Sequence, residues 1–164
     1  KRIHFMSAMT ALGKKDGDNS SGGIGYLDIA AFIRANGANP EKDLIELWKR
    51  IVFNIAVSNT DDHLRNHGFI LTENGWRLSP VYDVNPNLDK DALSLNVTEE
   101  DNALSVDLAI EVCEKFGIDK KDAVELAKGV LVTVCDNWRI IAEKNGLSKS
   151  SIEYMKPAFG ATQI

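Results

Sequence analysis

The stretch from Asn39 to Val57 constrains the fold more than any other part of the chain. Asn39-Pro40-Glu41 supplies a capping side chain, a proline suited to the first helical turn, and an early acid that favours the positive end of the helix dipole. Leu44, Leu47, Trp48, Ile51, Val52, Ile55 and Ala56 then fall at the three-and-four spacing of one helical face. Such a face predicts a long buried helix to about Val57. Its C-terminal end delivers thirteen residues of different character, SNTDDHLRNHGFI, from Ser58 to Ile70. Two aspartates, two histidines, an arginine and two asparagines are concentrated there.

Beyond that stretch the period shortens. Gly68-Phe69-Ile70-Leu71-Thr72 is rich in strand formers, Asn74-Gly75 signals a tight turn, and Trp76-Arg77-Leu78 returns, so a β-hairpin is expected, stopped by Ser79-Pro80. Residues 13–25, GKKDGDNSSGGIG, form a Gly/Ser/Asp loop, expected to be mobile. Asp16, Asp18 and Ser20 hint at a calcium loop, but Ser21 stands where the turn glycine belongs and Leu27 where a bidentate Glu belongs, so calcium is rejected. Helices are predicted over 26–35, 105–116 and 120–144, the last opening behind Asp119 and closing at Asn145-Gly146, with a short one after Ser148. Residues 84–104 read as irregular, with an extended piece from Leu93 to Val97. The expected class is α+β, mostly α-helical, without the βαβ alternation of a doubly wound sheet.

Composition narrows function only by exclusion. At 164 residues, with 44% hydrophobic and 26% charged residues, the chain has the size and balance of one globular domain, 1–164. A net charge of -5 argues against a broad nucleic-acid surface, and no apolar run reaches the length of a membrane span. Cys113 and Cys135 lie one per predicted helix, which fits a reduced pair in a cytoplasmic protein. The first residues, Lys1-Arg2-Ile3, carry neither an initiator Met nor a leader, so a segment of a longer protein is expected.

Phosphoryl transfer from ATP to a hydroxyl asks little of a protein. One carboxylate receives the hydroxyl proton, and an amide and a second carboxylate hold magnesium against the phosphates. In protein kinases the first two are an Asp and an Asn separated by four residues, and the second Asp follows a short hairpin. Here Asp61 is followed by four residues and Asn66, then by the predicted hairpin, then by Asp83. Two other readings stay open on the residues alone. Asp61 and Asp62 can be ordinary loop caps, with His63 and His67 ordinary surface imidazoles; His67 is expected to be one. His63, His67, Asp61 and Asp83 can also be written as a hydrolytic metal site, although Gly68 follows His67 directly and no Glu lies between the histidines. Trp48, Trp76 and Trp138 are expected to serve packing.

NTDDHLRNHGF followed by GWRLSPVYDVNP resembles the catalytic-loop and metal-loop signatures of the HipA-like serine/threonine kinases of bacterial toxin–antitoxin systems, over about residues 47–87. The resemblance implies the C-terminal lobe of a kinase-like fold that uses ATP and Mg2+ to phosphorylate a protein Ser or Thr. Carried onto matching positions, it makes Asp61 the proton acceptor and Asn66 and Asp83 the magnesium ligands. It places His63, Leu64, Arg65 and Asn66, with Tyr82 beside Asp83, along the nucleotide phosphates, and gives Asp62 no chemistry beyond lining. It also implies a DNA-binding antitoxin as partner, with no nucleic-acid or membrane contact expected from this lobe. The family's N-terminal lobe, with its phosphate-covering loop, lysine and adenine hinge, is not visible in residues 1–57. The alternative is a non-catalytic helical module that docks an antitoxin-like partner.

Overall fold

A computed structural model describes residues 2–162, and its architecture is mostly helical around one small antiparallel sheet. β1 (Phe5–Ser7) leads into a single turn, α1 (Ala8–Ala11). α2 (Tyr26–Asn36) and α3 (Pro40–Ala56) follow, then β2 (Gly68–Thr72) and β3 (Gly75–Leu78), then α4 (Val106–Glu111), α5 (Lys120–Lys144) and α6 (Lys149–Met155).

α3 is the central element, as its periodicity predicts. Leu47, Trp48, Ile51, Val52, Ile55 and Ala56 are fully buried, and each such side chain withdrawn from water stabilises the fold by roughly 1.5–3 kcal/mol. The Asn39 side chain accepts the Lys42 N–H, and Pro40 fills the first turn. Against this face pack Tyr26, Ile29 and Ile33 of α2, together with Phe69, Cys113 and Phe116. The Trp48 indole N–H donates to the Ala109 carbonyl at 2.7 Å, which fixes α4 across α3.

The hairpin forms where it is expected, with β2 in the middle of the order β1-β2-β3. Its turn is centred one residue earlier than Asn74-Gly75 suggests, on Glu73-Asn74, because Thr72 pairs with Gly75. Gly75 has φ +127, and a Cβ there would stand 2.8 Å from the Asn36 carbonyl oxygen, so the glycine serves a close approach to the end of α2. β1 was not anticipated; Phe5 pairs with Ile70 and Ser7 with Gly68.

Two buried charges lock the hairpin to α3. The Asp43 carboxylate accepts both Arg77 Nε (2.8 Å) and Nη2 (2.9 Å), and also the Leu78 N–H (3.0 Å). Arg50 Nη2 donates to the Ser79 carbonyl at 2.7 Å. The chain leaving β3 toward Asp83 is therefore held at a fixed place beside α3.

Three expectations need correction. The loop of residues 13–25 is tied down in its second half: the Ser20 N–H donates to the Ser94 carbonyl (2.9 Å), and Asn102 Nδ2 donates to Ser20 Oγ (3.0 Å). The helix expected over 105–116 is α4 followed by a 3-10 turn, Cys113–Phe116, closed by Gly117 at φ +75. The tighter last turn satisfies carbonyls that an α-helical end would leave open. Leu93 to Val97 is not the extended piece expected: the chain bends at Ser94, Leu95 and Val97, and Asn96 forms an isolated bridge with Gly25. Leu93, Leu95 and Val97 are all buried in the core. Both cysteines are free thiols, Cys113 buried and Cys135 exposed. Among the described residues no helix is long and apolar enough to cross a membrane.

Candidate active site

The polar stretch after α3 divides into an inner and an outer half. Asn59, Thr60, Asp62, Asn66 and His67 are buried, whereas Asp61 and Arg65 are exposed. Ser58 adopts φ +50, a left-handed conformation that turns the chain sharply out of α3.

Asp62 is the anchor of the inner half. Its Oδ2 accepts three hydrogen bonds: from the Tyr26 hydroxyl (2.7 Å), from Asn54 Nδ2 (2.8 Å) and from His67 Nε2 (2.8 Å). Those donors come from α2, from α3 and from the residue just before β2. A carboxylate this buried is costly unless well bonded, and three convergent donors meet that need. Burial and the Asp62 charge raise the Tyr26 hydroxyl well above its ordinary pKa, so it stays a donor. The expectation of His67 as a surface imidazole is overturned. Its ring is 2% exposed and stands edge-on to the Tyr26 ring at 5.7 Å. Asp62 likewise neither lines the site nor caps the loop; it holds the loop from beneath.

A relay of amides continues the anchor. Asn59 Nδ2 donates to Asn54 Oδ1 (3.0 Å), Asn59 Oδ1 accepts the Asn85 N–H (3.3 Å), and Asn85 Nδ2 donates to Asp83 Oδ1 (3.0 Å). Asp62 is thus joined to the Asp83 carboxylate through Asn54, Asn59 and Asn85. None of these asparagines was singled out by the sequence reading, although Asn54 and Asn59 are the polar residues where the α3 face gives way to the loop. Asp83 itself adopts φ +56; with Ser58 it is one of two non-glycine residues at positive φ among those described. Such a backbone costs on the order of 1–3 kcal/mol and persists where surrounding bonds fix it, as the relay does here.

The outer half faces an open cleft of about 330 Å³ walled by Asp61, Asn66, Asp83, Asn59 and Asn85, with Tyr154 and Met155 of α6 on the far side. Asn66 Nδ2 lies 3.4 Å from the Asp83 backbone carbonyl. Asp61, Asn66 and Asp83 therefore come together from three separate points along the chain. The Asp61 carboxylate points outward and meets Lys90 Nζ at 3.0 Å through Oδ1.

The other anticipated residues stand beside the cleft rather than in its wall. Leu64 is packed into the core, so its side chain is not available to phosphates, and only its backbone could serve them. Arg65 is paired with Asp16, and its Nη2 also donates to His63 Nε2 at 2.7 Å. A guanidinium only donates, so the His63 proton sits on Nδ1, which is buried without a partner among the described residues. The Tyr82 hydroxyl donates to the Arg65 carbonyl at 2.6 Å, and partial burial raises its pKa. The hydrolytic metal site fails on geometry. His67 faces Asp62 inside, Asp61 faces Lys90 outside, and among the described residues no three His, Cys, Asp or Glu converge.

A sequence model of the HipA-like C-terminal domain matches residues 1–138. The chain belongs to the HipA-like C-terminal domain family. Two relatives, each named as a putative kinase, match part of the chain. The one from Sinorhizobium fredii is 31% identical over 85 residues, covering 51% of this chain and 20% of the relative. The one from Haemophilus influenzae is 35% identical over 107 residues, covering 60% and 31%. A chain in the Shewanella oneidensis MR-1 toxin–antitoxin structure of HipA, HipB and operator DNA superimposes with a TM-score of 0.76 at 17% identity, covering 98% of this chain and 42% of that one. The fold is therefore the HipA kinase-like fold. The chain spans less than half the length of each of these proteins.

Proposed function

We propose that this chain is the catalytic, magnesium-binding lobe of a HipA-like protein serine/threonine kinase, which transfers the ATP γ-phosphoryl group to a protein hydroxyl within a toxin–antitoxin system. The adenine- and phosphate-gripping lobe is then supplied by sequence outside these 164 residues, in keeping with the 20–42% of its relatives that the chain spans. The observation that carries the reading is the meeting of Asp61, Asn66 and Asp83 in one open cleft.

In this reading Asp61, outward-facing and exposed, receives the proton of the incoming Ser or Thr hydroxyl. Asp83 and Asn66 offer a carboxylate and an amide, hard oxygen donors of the kind Mg2+ takes while keeping water and phosphate in its remaining positions. With Asn66 Nδ2 turned to the Asp83 carbonyl, the amide oxygen is the atom left to offer a cation. A bound magnesium ion supplies charge neutralisation for the phosphates. The chain's own residues orient the hydroxyl, hold the Asp83 backbone in its left-handed conformation and keep the loop rigid through Asp62. His63, Leu64, Arg65 and Tyr82 flank the cleft and support the loop from its side, Tyr82 through its bond to the Arg65 carbonyl.

A second reading, a non-catalytic module that docks an antitoxin-like partner, draws on a different observation. Phe53, Trp138, Ile141 and Leu147 wall an apolar groove beside the cleft, and Ile141 is 55% exposed. Transfer of labelled phosphate from ATP by the full-length protein, with and without Asp61→Asn, separates the two. The kinase reading expects Mg2+-dependent transfer that the variant loses. The docking reading expects partner binding that the variant leaves intact and no transfer from either protein.

A further inference from the structure

The cleft has an unbalanced charge. Three carboxylates, Asp61, Asp83 and Asp89, line it, and no Lys or Arg stands in its wall among the described residues. A polyphosphate entering such a place meets repulsion that a cation has to offset. Lys90 brings one. Its Nζ sits 3.0 Å from Asp61 Oδ1, at the carboxylate that the proposed reaction uses.

The position of Lys90 is set by the fold. Upstream of it, the Asn87 N–H donates to the Ser58 carbonyl at 3.0 Å. Downstream, Ser94 Oγ donates to the Thr60 carbonyl at 2.8 Å, and Leu93 is buried in the core. The segment that carries Lys90 is thus fastened on both sides to the residues just before Asp61. The ion pair itself is half in solvent, with side chains 49% and 64% exposed, so it holds weakly and exchanges readily for a stronger anion.

We propose that Lys90 is a further catalytic residue of this site: its ammonium rests on Asp61 between turnovers and moves onto the γ-phosphoryl oxygens during transfer. The inference rests on Asp61 being the proton acceptor. In the step, the substrate hydroxyl oxygen bonds to the γ-phosphorus and the bond from that phosphorus to the β,γ-bridging oxygen breaks, its electron pair leaving with ADP. The hydroxyl proton passes to Asp61. Lys90 keeps its own protons throughout and donates hydrogen bonds to the transferring group. Its departure also frees Asp61 Oδ1 as the hydroxyl proton arrives.

The test is steady-state phosphotransfer by the full-length protein carrying Lys90→Met, with Lys90→Arg and Asp61→Asn alongside. Loss of one preorganised donor to a transition-state oxyanion predicts a fall in kcat of about 10²-fold for Lys90→Met. KM for ATP should stay within about threefold, since the contact is made in transfer and not in the ground state. Lys90→Arg, which keeps the charge, should recover a large part of the rate. An unchanged kcat overturns the proposal, as does an effect confined to KM. A raised kcat overturns it too, and marks Lys90 as a brake on Asp61. Full activity of Asp61→Asn, or no transfer by the unaltered protein, overturns the site reading itself.

Discussion

Asp61 and Asp62 are neighbours of identical chemistry with opposite fates. Asp61 is half in solvent against an exposed lysine head, whereas Asp62 is 3% exposed and gathers three donors onto one oxygen. The same contrast holds for the stretch as a whole: its inner side builds a rigid seat and its outer side presents groups to the cleft. A loop that must place a reacting carboxylate needs both, because a side chain loose by an ångström loses much of its rate advantage. Residue type alone does not separate the two roles. Which neighbours each aspartate finds does.

That contrast can be broken most strongly at the outer residue. Asp61→Asn should lower phosphotransfer by the full-length protein by at least about 10²-fold while leaving its unfolding midpoint in denaturant unchanged, since an exposed pair contributes little. Asp62→Ala should do the reverse in kind. It strands Tyr26, Asn54 and His67 without their acceptor and should destabilise the domain by about 3 kcal/mol, read as a shift in the denaturation midpoint with an unaltered slope.

Tyr26→Phe should cost less, about 1–2 kcal/mol, for one hydrogen bond to a charged acceptor. It also carries a pH signature. The Tyr26 pKa is raised well above 10.0 in the folded protein, first by burial and then by Asp62. An unfolded chain therefore releases this proton at a lower pH than the folded one. The contribution is fully present below about pH 10 and is lost as the pH climbs above it. Denaturation profiles from pH 8 upward should show a shallower alkaline decline for Tyr26→Phe than for the unaltered protein. The smallest effect belongs to Lys90→Met, which should leave stability within about 1 kcal/mol of the unaltered protein in the same denaturant titration, whatever it does to the rate.

The parts of this molecule that were legible in the sequence are those written in local code. α3 declares itself through seven apolar positions on one face and the Asn39-Pro40 start, and the hairpin through a change of period. Asp61, Asn66 and Asp83 were legible as a spacing, and the fold brings all three to one cleft. β1 was missed because three residues cannot show a period; what makes Phe5–Ser7 a strand is the free edge of β2. His67 was misplaced because a polar residue before a glycine reads as surface, and only Asp62 and Tyr26, five and forty-one positions away, make its burial tolerable. The amide relay through Asn54, Asn59 and Asn85 is likewise a long-range arrangement that leaves no mark on any short window. Lys90 escaped notice because an isolated lysine in an irregular segment has no pattern at all.

The central claim, that three side chains from separate stops jointly manage one cation and one hydroxyl, is tested most directly by diffraction. Crystals of the full-length protein grown with Mn2+ and a non-hydrolysable ATP analogue would locate the metal by its anomalous signal. The account predicts a peak within about 2.0–2.3 Å of oxygens from both Asn66 and Asp83, with the terminal phosphate facing Asp61. A metal and nucleotide bound elsewhere, with Asp83 still closed onto Asn85 and Asp61 onto Lys90, would contradict it.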